Sequence, residues 1–130
     1  MKNLKIFMCY SKEDGEFAAR LAHNLRKEGF DAGLNEDEIL PGENWEKSLR
    51  KSLEEASAVV VLFSSNWMRS GWAAFEYGAA LATRKKVIPI LISNGNGKLP
   101  AEFQSTSCID ARLTNEKQLV NIIESKLYSH

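Results

Sequence analysis

Short unbroken apolar runs alternate along the chain with apolar residues spaced every three or four positions. Residues 5–10 (KIFMCY) form a compact run rich in strand formers. Phe17, Leu21 and Leu25 then recur every fourth position, which places one apolar stripe on a helix that Gly29 stops. Residues 30–34 are short and apolar enough for a second strand. Residues 35–44 (NEDEILPGEN) read as a loop, because Pro41-Gly42 breaks regular structure and four acids crowd it. Asn44 then suits a helix N-cap, with Trp45, Leu49 and Leu53 on one face of the helix it opens. Residues 58–63 (AVVVLF) lack polar alternation, as a strand covered on both faces requires. Ser64-Ser65-Asn66 ends that run. An alanine-dense helix capped by Ser70 is expected over 71–84, a fourth strand over 87–92 (VIPILI) and a weak strand near 107–110. The last helix carries Leu119, Ile123 and Leu127.

Strands alternating with helices in this way imply parallel strands joined by right-handed crossovers. The expected architecture is α/β: a flavodoxin-like three-layer sandwich whose five-stranded parallel sheet, in order 2-1-3-4-5, carries helices on both faces. At 130 residues the chain suits a single domain over 1–130. In such sheets ligands sit beyond the carboxyl ends of strands 1 and 3, where the winding direction reverses. That rule selects residues 10–14, residues 35–44, and the stretch from Ser64 to the start of the helix at 71.

Composition narrows the chemistry. Lys+Arg and Asp+Glu are 17 each, so the chain has no general pull toward nucleic acid or anionic lipid. The longest unbroken apolar run is six residues, when a membrane-spanning helix needs roughly 20. The opening MKNLKIFMCYSKED turns charged before a signal-peptide core could form, so a cytoplasmic protein is expected. Cys9, Cys108, His23 and His130 complete neither a disulfide framework nor a zinc site, and no metal or cofactor is expected. Gly95-Asn96-Gly97-Lys98 lacks the spacing of a phosphate loop, and no GxSxG elbow is present. Cys9 reads as a small buried hydrophobe. The triplet Arg84-Lys85-Lys86 reads as a cationic cap on the helix before it. Glu36, Asp37, Glu38 and Glu43, beside Lys47, Arg50 and Lys51, read as a solvated face or as a charged surface for a partner.

The segment 70–78 (SGWAAFEYG) stands apart. Trp72 and Glu76 are four apart, so on a helix they share one face beside the expected crevice. The spacing alone allows two readings. Glu76 can be a site acid walled by the Trp72 ring, or Trp72 can pack on the sheet while Glu76 faces water.

Four motifs taken together resemble a known family. KIFMCYSKED resembles the first signature of Toll/interleukin-1 receptor (TIR) domains, and LNEDEILPGENW resembles their second, the loop after the second strand. SSNWMRSGWAAFEYGAAL is similar to the S-x-W-x-x-x-E region, and KKVIPILI to the fourth strand. The pattern is nearer to stand-alone prokaryotic members than to receptors or adaptors. Cys9, Ala73 and Asn35 stand where many members have serine, cysteine and aspartate.

The resemblance implies an NAD-cleaving enzyme, a glycohydrolase or ADP-ribosyl cyclase serving antiphage defence signalling, with NAD as its substrate and no separate cofactor. It makes Glu76 the catalytic residue and Trp72 its partner. Around them, Phe7 or Tyr10 is expected under the nicotinamide, Ser11 and Lys12 at the diphosphate, and Asn35 at the edge of the substrate site. The resemblance also implies self-association with other TIR domains, as a homo-oligomer or filament on activation, through the loop carrying Pro41 and Gly42. Two other readings remain at this point: a non-catalytic TIR–TIR interaction module, and a related α/β enzyme cleaving nucleosides.

Overall fold

The computed structural model describes residues 4–34, 51–64, 85–92 and 108–128. Five strands, β1 (Lys5–Cys9), β2 (Asp31–Leu34), β3 (Ala58–Phe63), β4 (Lys86–Leu91) and β5 (Ile109–Asp110), make one sheet in the order β2-β1-β3-β4-β5. Every neighbouring pair is parallel. This is the flavodoxin-like order that the alternation of runs and stripes implies. The register runs from Ile6 opposite Ala58 to Cys9 opposite Val61, so β1 and β3 reach the carboxyl edge side by side.

Successive side chains of a strand point to opposite faces, and burial follows that period. Ile6, Met8, Tyr10, Val60, Leu62, Ile88 and Ile90 enter one cluster, which the helices α1 (Gly15–Lys27) and α2 (Glu116–Leu127) cover. Leu21 and Leu25 of α1 and Leu119 and Ile123 of α2 are the contacts expected from their spacing, while Phe17 and Leu127 are partly buried at the rim. Phe7, Cys9, Val59, Val61 and Phe63 are buried on the opposite face. Residues 51–55 are helical, and Leu53 within them is fully buried. The sheet is therefore covered on both sides, which is why β3 tolerates no polar residue.

Helix α1 ends as Gly29 dictates. Gly29 adopts φ 96°, its N–H donates to the Arg26 carbonyl at 3.0 Å, and the Phe30 N–H reaches back to the Leu25 carbonyl at 3.1 Å. That pair of bonds is a Schellman motif, and Phe30 and Leu25 share the core beneath it. Phe30 is thus part of the helix stop, and β2 begins one residue later than its apolar pattern suggests. Likewise β4 starts at Lys86 instead of residue 87, and β5 keeps only two residues. Pro89, which has no N–H for a ladder, lies beside the part of β4 that β5 does not reach, since their pairing begins at Ile90.

Lys86 departs from its expected place. It opens β4, and its Nζ donates to the Lys126 carbonyl at 2.8 Å. The cation serves the C-terminus of α2; the helix expected before β4, with Arg84, lies outside the described residues. The Asn44-capped start of the second helix, the helix expected over 71–84, the GNGK turn and His130 also lie outside them.

Candidate active site

At the carboxyl edge β1 ends at Cys9, opposite Val61, while β3 continues to Phe63. Beyond Cys9 the chain passes through Tyr10 and Ser11 into a 3-10 turn, Lys12–Asp14, closed by the Asp14 N–H donating to the Ser11 carbonyl at 2.8 Å. Helix α1 then starts at Gly15, close over the Tyr10 ring: a Cβ at Gly15 would stand 3.9 Å from Tyr10 Cε2. The turn leaves two hydroxyls and two carboxylates facing one another. Ser11, only 5% exposed, donates through Oγ to Glu13 Oε2. Ser64, the fully buried residue that ends β3, donates through Oγ to Asp14 Oδ2.

Donor direction matters here. An ionised carboxylate only accepts, so each serine proton is held by its acid and the hydroxyl oxygen is left with lone pairs. Ser11 Oγ therefore suits a ligand hydroxyl, which can donate to it, better than a phosphate oxygen. Asp14 occupies the N-cap position of α1 yet makes no side-chain cap bond to the helix, and instead reaches β3.

The residues expected at the site divide into three groups. Tyr10, Ser11 and Lys12 follow one another at the carboxyl end of β1, at the switch point. Phe7 lies inside the strand, opposite Gly33 and Val59, on the sheet face that Tyr10 does not share. Phe7 and Tyr10 are each 3% exposed. Asn35, Pro41, Gly42, Trp72 and Glu76 lie outside the described residues. Glu13, Asp14 and Ser64 carry polar bonds at this edge of the sheet but received no role from sequence reasoning. The signal that could have found them is positional: a serine directly after an all-apolar strand, and an aspartate in the slot before a helix.

At the far end of the same edge, Asp110 accepts from Arg112 Nε at 2.8 Å and from Arg112 Nη2 at 2.7 Å. The guanidinium bond holds the Asp110 carboxyl below its ordinary range. Cys108, just before β5, is half-buried, and burial, seconded by the Asp110 charge, pushes its thiol up. Cys9 is buried in β1 as its setting implies. Among the described residues no group of acids, cysteines and histidines could hold a metal, and no helix is long and apolar enough to cross a membrane.

A doubly covered parallel sheet in the order β2-β1-β3-β4-β5 defines the class, a flavodoxin-like α/β protein, with Ser11 and Ser64 at the β1/β3 switch point of its carboxyl edge. The comparisons with known proteins add the family. A family model described as TIR domain matches residues 6–123, and the chain belongs to that family. It is 30% identical over 94 residues to the probable 2′ cyclic ADP-D-ribose synthase TcpO of Methanobrevibacter olleyae, an alignment covering 69% of this chain and 28% of that protein. It is 26% identical over 105 residues to the NAD(+) hydrolase TcpA of a Theionarchaea archaeon, covering 80% of this chain and 32% of that one. The chain thus spans under a third of the length of these two curated relatives. Among solved structures, the TIR domain of the Toll-related receptor TRR-2 from Hydra magnipapillata superimposes with a TM-score of 0.77 at 18% identity, covering 93% of this chain and 96% of that one. That likeness is one of fold.

Proposed function

We propose that this chain cleaves the nicotinamide–ribose bond of NAD, with Glu76 as the catalytic carboxylate. The observation that carries the reading is kinship with relatives named for NAD hydrolysis and for cyclic ADP-ribose synthesis, joined to the Trp72-x-x-x-Glu76 spacing inside the matched region. The serine hydroxyls and carboxylates at the ends of β1 and β3 are compatible with it.

The leaving nicotinamide is a pyridinium and departs as a neutral base, taking the electron pair of the C1′–N bond. No general acid is required, unlike ordinary glycoside cleavage, where a carboxyl protonates the leaving oxygen. Positive charge gathers on the ribosyl C1′ and ring oxygen, and a fixed carboxylate beside the sugar stabilises it as it develops. Water adding to C1′ gives ADP-ribose and one proton to solvent. Addition of a hydroxyl or ring nitrogen of the same molecule gives a cyclic isomer instead.

Trp72 walls the ribose in this reading. Ser11 Oγ, its proton held by Glu13, accepts from a ribose hydroxyl, which shifts Ser11 from the diphosphate to the sugar. Lys12 at the diphosphate and Asn35 at the rim of the site complete the proposal. Of the two aromatic residues considered for the nicotinamide, Tyr10 is nearer the carboxyl edge than Phe7 and is the better placed.

The test is incubation of the purified chain with NAD, at high concentration and with crowding agent, followed by mass-resolved products. Free nicotinamide is expected together with ADP-ribose or a cyclic isomer, and Glu76→Gln and Glu76→Ala are expected to release none while keeping the wild-type circular dichroism. Turnover retained by either variant removes Glu76 from the mechanism. A wild-type chain that releases no nicotinamide under these conditions is a TIR–TIR interaction module instead, and nucleosides run in parallel separate out the third reading. A role in prokaryotic defence signalling, switched on by self-association, extends the same proposal.

A further inference from the structure

We infer that Asp14 is a positioning residue for the reaction: its bond to Ser64 clamps the end of β3, and through it the chain leading to Trp72 and Glu76, to the end of β1. The inference rests on the NAD-cleaving reading and deepens it. Three observations carry it. Ser64 is fully buried and directly follows β3, and Glu76 comes twelve positions later in the sequence. Its hydroxyl donates to a carboxylate fifty residues away in sequence, so the bond joins the two strand ends that flank the switch point. Asp14 stands at the N-cap of α1 but makes no side-chain cap bond, although aspartate there ordinarily caps its helix. The side chain reaches the end of β3 rather than its own helix.

Asp14 itself is fixed by the N–H bond to Ser11, so the clamp ties β3 to the same turn that orients the Ser11 hydroxyl. The ends of β1 and β3 are thereby held in one frame. A displacement of about 1 Å in such a frame costs on the order of a hundredfold in rate. Substrate binding, spread over many contacts, is less sensitive.

The experiment compares Asp14→Ala, Ser64→Ala, the double variant and Asp14→Asn with the wild type, assaying nicotinamide release well below each melting temperature. Rates are expressed per folded molecule, with the folded fraction read by circular dichroism. Each alanine variant is expected to lose about ten- to a hundredfold in kcat with KM within about threefold, and the double variant to be no slower than the slower single one. The side-chain amide introduced by Asp14→Asn retains an oxygen acceptor for Ser64, so this variant is expected to recover most of kcat. Wild-type turnover with kcat per folded molecule unchanged in the alanine variants, or lost equally in Asp14→Asn, overturns the inference and leaves Glu76 in place. No nicotinamide release from the wild type overturns the NAD reading, and the clamp's catalytic role with it.

Discussion

Gly29 holds φ 96°, a left-handed conformation that a Cβ makes costly by roughly 1–2 kcal/mol. Gly29→Ala is therefore expected to lower stability by about that amount in urea denaturation, with the slope unchanged because the same surface is exposed on unfolding. Asn115 presents the opposite case to Asp14. Its side chain accepts from the Gln118 N–H at 2.7 Å, and Gln118 Oε1 accepts from the Asn115 N–H at 3.0 Å, completing a capping box at the start of α2. Both residues occupy an N-cap, yet one closes its helix and the other reaches across the sheet. Residue type alone does not distinguish them. The difference comes from Ser64, a donor brought beside Asp14 only by the pairing of β1 with β3. Such bonds are invisible to local pattern because their partners are set by topology.

At the scale of elements, the patterns that were legible are those enforced by burial. β3 matches its apolar run at both ends, because every side chain in it is enclosed and any polar residue would mark the boundary. β5 was legible only roughly: two residues of pairing leave almost no periodicity to read. The C-terminal helix was legible through Leu119, Ile123 and Leu127, and these differ in depth. Ile123 is fully buried whereas Leu127 lies at the rim of the cluster. Ile123→Ala is accordingly expected to cost about 2–5 kcal/mol, and Leu127→Ala clearly less, in the same denaturation series. Equal losses would mean that α2 seats its last turn as deeply as its middle. The bond of Lys86 to the end of α2 was not legible for a related reason. A cation at a helix end was foreseeable, but which helix it meets depends on α2 returning to the start of β4, a tertiary fact.

For the molecule as a whole, the switch-point rule selects stretches that include Tyr10, Ser11 and Ser64, and the order β2-β1-β3-β4-β5 brings these three to the same edge of the sheet. It did not supply roles, because a role depends on which proton each oxygen holds. The charge balance, 17 cations against 17 anions, bears on the last question, how copies of this domain act together. With no net repulsion between copies, short-range complementarity decides association, and the acidic 35–44 segment with its Pro41-Gly42 break is the proposed contact. If that loop of one copy completes the Glu76 site of a neighbour, the active species is an assembly. Its amount then rises as about the square of the chain concentration well below the dissociation constant and linearly above it. Nicotinamide release per molecule is thus expected to climb with concentration and then level off. A loop variant such as Gly42→Glu and Glu76→Gln, each inactive alone, are expected to regain part of the activity when mixed, because a mixed pair joins one intact loop to one intact acid. A rate strictly proportional to concentration over the whole range, with no recovery on mixing, would assign each site to a single copy.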